Sequence, residues 1–227
     1  YIGLLTALWF IFRSYLPRLR GYLCKSHIFT KEAMTRFFTV NRDIFLRTLC
    51  LIFVHFFFIA AGAHFGSTIL AVNALLMQLF TLFSYFMDGF AYAGEALVGK
   101  AIGGHNRSLY KDTVRHLFGW GVAMVLAFTL LYATLGRPFL SLLTDEPEVL
   151  EEAQTYWAWV LLFPVCGVGA FIWDGIFIGS TKTRQMLLSV FSAMLVFVVL
   201  FYALSPLLHA HALWLAFVCY LATRGLV

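Results

Sequence analysis

The chain has 227 residues, of which 62% are hydrophobic and only 12% charged, with a mean hydropathy of +0.86. Soluble domains carry roughly 25% charged residues, and a soluble fold of this length has too little interior to hide so much apolar surface, so lipid is the remaining solvent. The net charge of +5 does not point to nucleic acid, because the basic residues lie between apolar runs and form no continuous strip.

Taken in chain order, residues 1–12 form an apolar run that ends at Arg13. The run is too short to cross about 30 Å of hydrocarbon and carries no signal-peptide cleavage site. Residues 1–20 therefore read as the end of a spanning helix cut in its middle, in a chain that begins as a fragment. Residues 21–42 read as a cytoplasmic linker. Within it, 29–38 has the pattern of an interfacial amphipathic helix, with Thr30 as N-cap, Glu32 in the first turn and an apolar face of Phe29, Met34, Phe37 and Phe38.

From residue 43 to 227 the chain reads as one transmembrane lobe of about six helices, at 44–63, 67–98, 117–137, 154–178, 187–208 and 212–227. The connections are a glycine turn at 62–66, a polar stretch at 100–116, an acidic loop at 144–152, a turn at 179–183 and a short His-Ala-His turn. Backbone groups in lipid cannot bond to water, so runs of this length are helices. No ten-residue dyad alternation supports a β-barrel. The fold class is an all-α integral membrane protein, a multispanning helical bundle.

Orientation follows from charge. If each helix crosses once, every Lys and Arg except Arg137 falls on one side: Arg13 to Arg47, Lys100 to Arg115, Lys182, Arg184 and Arg224. The other side carries Asp145, Glu146, Glu148, Glu151 and Glu152. The basic side is cytoplasmic by the positive-inside rule.

Charge within a span costs roughly 2.5–3.5 kcal/mol on insertion scales and marks function by default. Asp88, Glu95 and Asp174 qualify. Asp88 and Glu95 share a helical face with Tyr85 and Tyr92, a stripe in which phenols could hydrogen-bond carboxylates along a cavity that takes up protons or cations. The plainer alternative pairs Glu95 with Lys100. Asp174 sits among Gly167, Gly169 and Gly175 in a segment with Pro164, which removes a helical hydrogen bond, as in the bent helices that transporters use near ligands. Its plainer alternative is a bond to a neighbouring helix. Asn73 and Gln78 read as interhelical glue. Cys24, Cys50, Cys166 and Cys219 lie in or beside apolar segments with no paired spacing and read as small core residues. His209 and His211 lack a third ligand nearby, so no metal is expected, and no nucleophile elbow, phosphate loop or dinucleotide fingerprint occurs.

Three blocks carry a family resemblance. Asn41-Arg-Asp-Ile-Phe-Leu-Arg-Thr-Leu49 resembles the start of the seventh helix of multidrug and toxic compound extrusion (MATE) transporters. Asp88-Gly-Phe-Ala-Tyr-Ala-Gly-Glu-Ala-Leu-Val-Gly-Lys-Ala-Ile-Gly-Gly104 resembles their eighth helix and the loop after it. Asp174-Gly-Ile-Phe-Ile-Gly-Ser-Thr-Lys-Thr-Arg184 resembles the tenth helix and its cytoplasmic turn. The DinF-like branch is the most similar. The resemblance implies a twelve-helix fold of two six-helix lobes, this chain supplying the end of helix six and the C-terminal lobe. It also implies efflux of organic, often cationic, compounds from a cavity between the lobes, driven by inward H+ or Na+. A family sodium site pairs a glutamate in helix seven with an aspartate in helix ten. The span at 44–63 has no carboxylate, so that site does not transfer, and H+ is favoured over Na+. The family's proton-linked aspartate of helix one belongs to the missing lobe.

The expected function is that of a secondary active transporter, a cation-coupled antiporter in the bacterial cytoplasmic membrane. Asp88, Tyr85, Tyr92, Glu95 and Asp174 would form its substrate and cation site, with no cofactor. Its expected partners are the lipid bilayer, small organic substrates and the missing N-terminal lobe. The runner-up within transport is a lipid-linked oligosaccharide flippase of the same broader superfamily, and two alternatives belong to other classes: a membrane-embedded enzyme using the histidines and a non-transporting remnant that needs a partner half. The flippase would favour a cationic cavity, and the complete spans show no basic residue well inside them. The enzyme would need three ligands converging at one depth.

Overall fold

The computed structural model describes residues 1–16 and 30–226, and every regular element among them is a helix. Arg18, Arg20, Cys24, Lys25 and Phe29 lie outside the described residues, as do the expected boundary at 20–21 and the last residue of the final span.

The chain divides into two compact units, Tyr1–Arg42 and Asp43–Val227. In the first, α1 (Ile2–Phe10) continues into a π-helical turn, Ile11–Tyr15. The first unit also holds the start of α2 (Lys31–Ala63), where the backbone amide of Ala33 donates to the Thr30 hydroxyl oxygen at 3.3 Å. Thr30 is thus the N-cap its position predicts. The expected separate interfacial helix, however, is the opening of α2, which runs unbroken for 33 residues. No Gly or Pro occurs between Lys31 and Ala61, so nothing interrupts the backbone hydrogen bonds.

The second unit contains α3 (Ser67–Gly103), α4 (Arg107–Leu143), α5 (Pro147–Thr155), α6 (Trp157–Gly179), α7 (Thr183–Leu208) and α8 (Ala210–Leu226). Among the described residues, five helices are long and apolar enough to cross a membrane: α2, α3, α4 as far as Gly136, α6 and α7. At 17 residues, α8 falls just short of the usual length for a span. With this family of long apolar helices the protein is an all-α, multi-pass membrane protein.

One element escaped the sequence. The acidic stretch expected as a loop folds as α5, because Pro147 occupies the first helical position, where its missing N–H costs nothing, and Glu148 faces the helix dipole in the first turn. The Thr68 hydroxyl donates to Glu148 at 3.3 Å, joining α5 to the start of α3. Pro164 does not break α6, which continues through it as one helix.

The core gathers around α6, which packs on α3, α4 and α8, while α8 packs in turn on α7. Phe58 of α2 meets Trp214 and Phe217 of α8 edge-on, and Phe57 meets Phe197 and Phe201 of α7. Edge-to-face geometry suits the ring quadrupoles. Where α6 crosses α3, glycine lets the backbones touch. A Cβ on Gly175 would lie 2.2 Å from the Ala91 carbonyl oxygen, and one on Gly179 would lie 2.5 Å from that of Glu95. This small-x-x-x-small seam sets the depth of Asp174 beside α3.

A buried hydrogen bond joins α4 to α3, the Tyr132 hydroxyl donating to the Leu79 carbonyl at 2.6 Å. Tyr132→Phe is expected to lower stability by about 0.5–1.5 kcal/mol, the usual net value of one such bond, read as a lower midpoint in thermal unfolding.

Candidate functional site

Asp174, on the second turn from the end of α6, is buried at 8% exposure. Both Arg47 of α2 and Arg224 of α8 donate from a guanidinium nitrogen to its Oδ2 oxygen, Arg224 at 2.5 Å. Arg224 is 6% exposed and held between the rings of Phe171 and Tyr220, with its Cζ 5.9 and 5.6 Å from their centroids. Its backbone carbonyl accepts a hydrogen bond from Ser189 of α7 at 3.2 Å. Three helices are thereby stitched through one carboxylate. Of the two alternatives for Asp174, the bond to neighbouring helices is the one realised.

Sequence reasoning missed both arginines. Arg47 lies near the start of the apolar run 44–63 and Arg224 near the end of 212–227, positions that fit either an interfacial charge or one turned toward a neighbouring helix. Counting them toward the basic side concealed that they oppose Asp174. Both lie near span ends rather than deep within them, yet both turn inward to a buried carboxylate. A second buried acid, Asp43 at the start of this unit, accepts from the Thr183 hydroxyl at 3.3 Å and ties α2 to the start of α7.

The triad lines a cavity of about 400 Å³. Asp88, Tyr92, His55, Phe80 and Phe171 line the same cavity. Asp88 is half-buried and feels the fields of Asp174, Arg47 and Arg224, yet it makes no hydrogen bond or ion pair among the described residues. Formally, two guanidiniums face two carboxylates, and only one of those carboxylates is engaged.

The expected tyrosine–carboxylate stripe is only partly assembled. Tyr85 and Tyr92 are each 70% exposed, and neither phenol bonds to Asp88 or Glu95. Tyr85 does not line the cavity. Glu95 is half-buried along the α3–α6 seam, outside the cavity, and makes no ion pair with Lys100 among the described residues. Spacing of three and four places these residues on one face but does not say which way each side chain turns. Asn73 is likewise not glue. It is buried with neither amide atom partnered, beside a smaller cavity of about 220 Å³ that His55 also lines. Of the histidines, His211 accepts from the indole of Trp159 at 3.1 Å and lies against Tyr156. Cys50, Cys166 and Cys219 are free thiols.

Comparison with known proteins agrees with this architecture. Residues 44–203 match the MatE family. The chain is 39% identical over 191 residues to the DNA damage-inducible protein F of Escherichia coli (strain K12), an overlap of 84% of this chain and 41% of that protein. It therefore spans about two fifths of the length of the curated relative it matches.

Proposed function

This chain belongs to the MatE family of membrane transporters, in its DinF-like branch, and from that membership we propose that it is the C-terminal lobe of a cation-coupled exporter of organic cations. The observation that carries the reading is Asp88, a carboxylate with no bound partner on the wall of an aromatic-lined cavity within the membrane. A lipophilic cation entering there meets a negative charge and the faces of Phe80 and Tyr92, where cation–π attraction is strengthened by desolvation. Alternating access needs two bundles moving against each other, so an N-terminal lobe completes the transporter and the lipid bilayer surrounds it. The setting is a bacterial cytoplasmic membrane, and the protein performs transport rather than covalent catalysis, with no cofactor.

H+ is the favoured coupling ion. Two guanidiniums hold Oδ2 of Asp174, and their positive charges beside the carboxylate oppose a sodium ion there. A proton needs only the one free carboxylate.

The test uses the full-length transporter in proteoliposomes with a fluorescent lipophilic cation. Asp88→Asn is expected to slow efflux at least about tenfold, since it removes a charge that stabilises the bound cation in low dielectric, with membrane insertion unchanged and Asp88→Glu partly active. Wild-type efflux from Asp88→Asn would remove Asp88 from the mechanism. One observation favours a second reading. Arg47 and Arg224 make the cavity capable of holding a phosphate-bearing substrate, as a lipid-linked oligosaccharide flippase requires. Under that reading Asp88→Asn speeds or spares transport of the anionic substrate, and the organic cation is not moved at all.

A further inference from the structure

A second pocket lies apart from the Asp88 cavity, where two helix connections close in the same way. After α3, the amides of Gly104 and Asn106 return to the carbonyls of Lys100 and Ala101. After α6, those of Ser180 and Lys182 return to Ile176 and Phe177. Each turn passes through one left-handed residue, His105 at φ 51° and Thr181 at φ 56°. The shared geometry places Asn106 and Lys182 at equivalent positions, each the N-cap of the helix that follows.

Between the turns is a cavity of about 400 Å³ lined by His105, Arg107, Tyr110, Ser180, Lys182 and Ile102. It contains two permanent cations, a histidine and the Tyr110 hydroxyl, and no carboxylate, while the Ser180 hydroxyl donates to the Phe177 carbonyl at 3.2 Å. Neither Arg107 nor Lys182 makes an ion pair among the described residues, and the acid nearest to Arg107 in sequence, Asp112, accepts from Ser108 instead. Uncompensated positive charge gathered around a concavity is an anion site by its chemistry.

We propose that this pocket holds the phosphate headgroup of an anionic phospholipid. The phosphate chemistry follows from the donors, and the choice of a lipid follows from the walls. Ala101 and Ile102 belong to the last turn of a spanning helix, and the Ile102 side chain is exposed beside the cations, so an acyl chain has an apolar path leading away from a bound phosphate. The pocket also lies at the end of the bundle that carries the basic turns, the side facing the anionic cytoplasmic leaflet. The proposal does not depend on what the transporter exports.

The full-length transporter in neutral detergent is titrated with short-chain phosphatidylglycerol, short-chain phosphatidylcholine and inorganic phosphate, and binding is read by native mass spectrometry. Phosphatidylglycerol is expected to bind in preference to phosphatidylcholine. Arg107→Gln and Lys182→Gln are expected to weaken it about fivefold each, from roughly 1 kcal/mol per interfacial cation. The pair Lys111→Gln and Arg184→Gln, exposed cations outside the pocket on the same two following helices, is expected to change affinity less than twofold. Three results overturn the proposal: equal loss from both pairs, which indicates a diffuse field; no loss from the pocket variants; or displacement of the lipid by inorganic phosphate at equal concentration, which indicates a soluble ligand. If the Arg107→Gln variant does not fold, the exposed Lys182→Gln variant carries the same comparison.

Discussion

Removing the Asp174 carboxylate with Asp174→Ala is expected to cost about 3–5 kcal/mol of stability, the range for taking one partner from a buried charge network. The magnitude follows from what is left behind. Arg224 is almost wholly buried, its Nε already lacks a partner, and its main counter-charge is the Oδ2 oxygen it shares with Arg47. Without that oxygen, two guanidiniums face each other in a low-dielectric site, with only the unengaged Asp88 nearby. Arg47→Ala is expected to cost less, because the Asp174–Arg224 pair survives it. Replacing all three together, as Arg47→Met, Asp174→Leu and Arg224→Met, is expected to restore most of the stability, since apolar residues of similar volume commonly match a buried ionic triad. Thermal unfolding of the full-length protein in one detergent gives the ranking. An Asp174→Ala protein as stable as the Arg47→Ala protein would show that the carboxylate is not the hub.

Much of this arrangement was legible in the sequence, and the failures share a physical cause. Long apolar runs specify helices because lipid offers the backbone no other partner, so the spans lie close to where hydropathy places them. Helix ends were less visible: α2 absorbs the expected interfacial helix, and α5 forms in an acidic stretch whose composition looks like a loop. Asp174 stood out as a lone acid in an apolar segment. Its partners did not, because an arginine near the edge of a hydrophobic window serves the positive-inside pattern equally well whether it reaches water or turns inward to a carboxylate. Only the packing of α2, α6 and α8 decides between the two. The tyrosines failed for a related reason. Periodicity assigns Tyr85, Asp88, Tyr92 and Glu95 to a face, but the Glu95 backbone lies in the α3–α6 seam, Tyr92 lines the cavity while remaining largely exposed, and Tyr85 lies outside it.

That seam yields the other large effect. Gly175→Ala adds a single methyl group, yet the group would lie 2.2 Å from the Ala91 carbonyl oxygen and 2.8 Å from the Ala91 Cα and carbonyl carbon. All three atoms are backbone, so no rotamer change relieves the contact, and α3 and α6 must move apart. Overpacking of this kind costs about 1–3 kcal/mol and sometimes more. Function should suffer beyond that figure, because Gly175 adjoins Asp174 in sequence while Ala91 lies one turn from Asp88 on α3. Separating the helices moves the two carboxylates relative to each other and loosens the hydrogen bonds that Arg47 and Arg224 make to Asp174. Gly89→Ala is the matched control: a Cβ there meets nothing within 4 Å, so its cost should stay within about 0.5 kcal/mol. The expected outcome is a Gly175→Ala protein with a lowered unfolding midpoint and little efflux, beside a Gly89→Ala protein close to wild type in both. If the two variants behaved alike, the backbone contact between α3 and α6 would not be what holds the two carboxylates of the cavity in place.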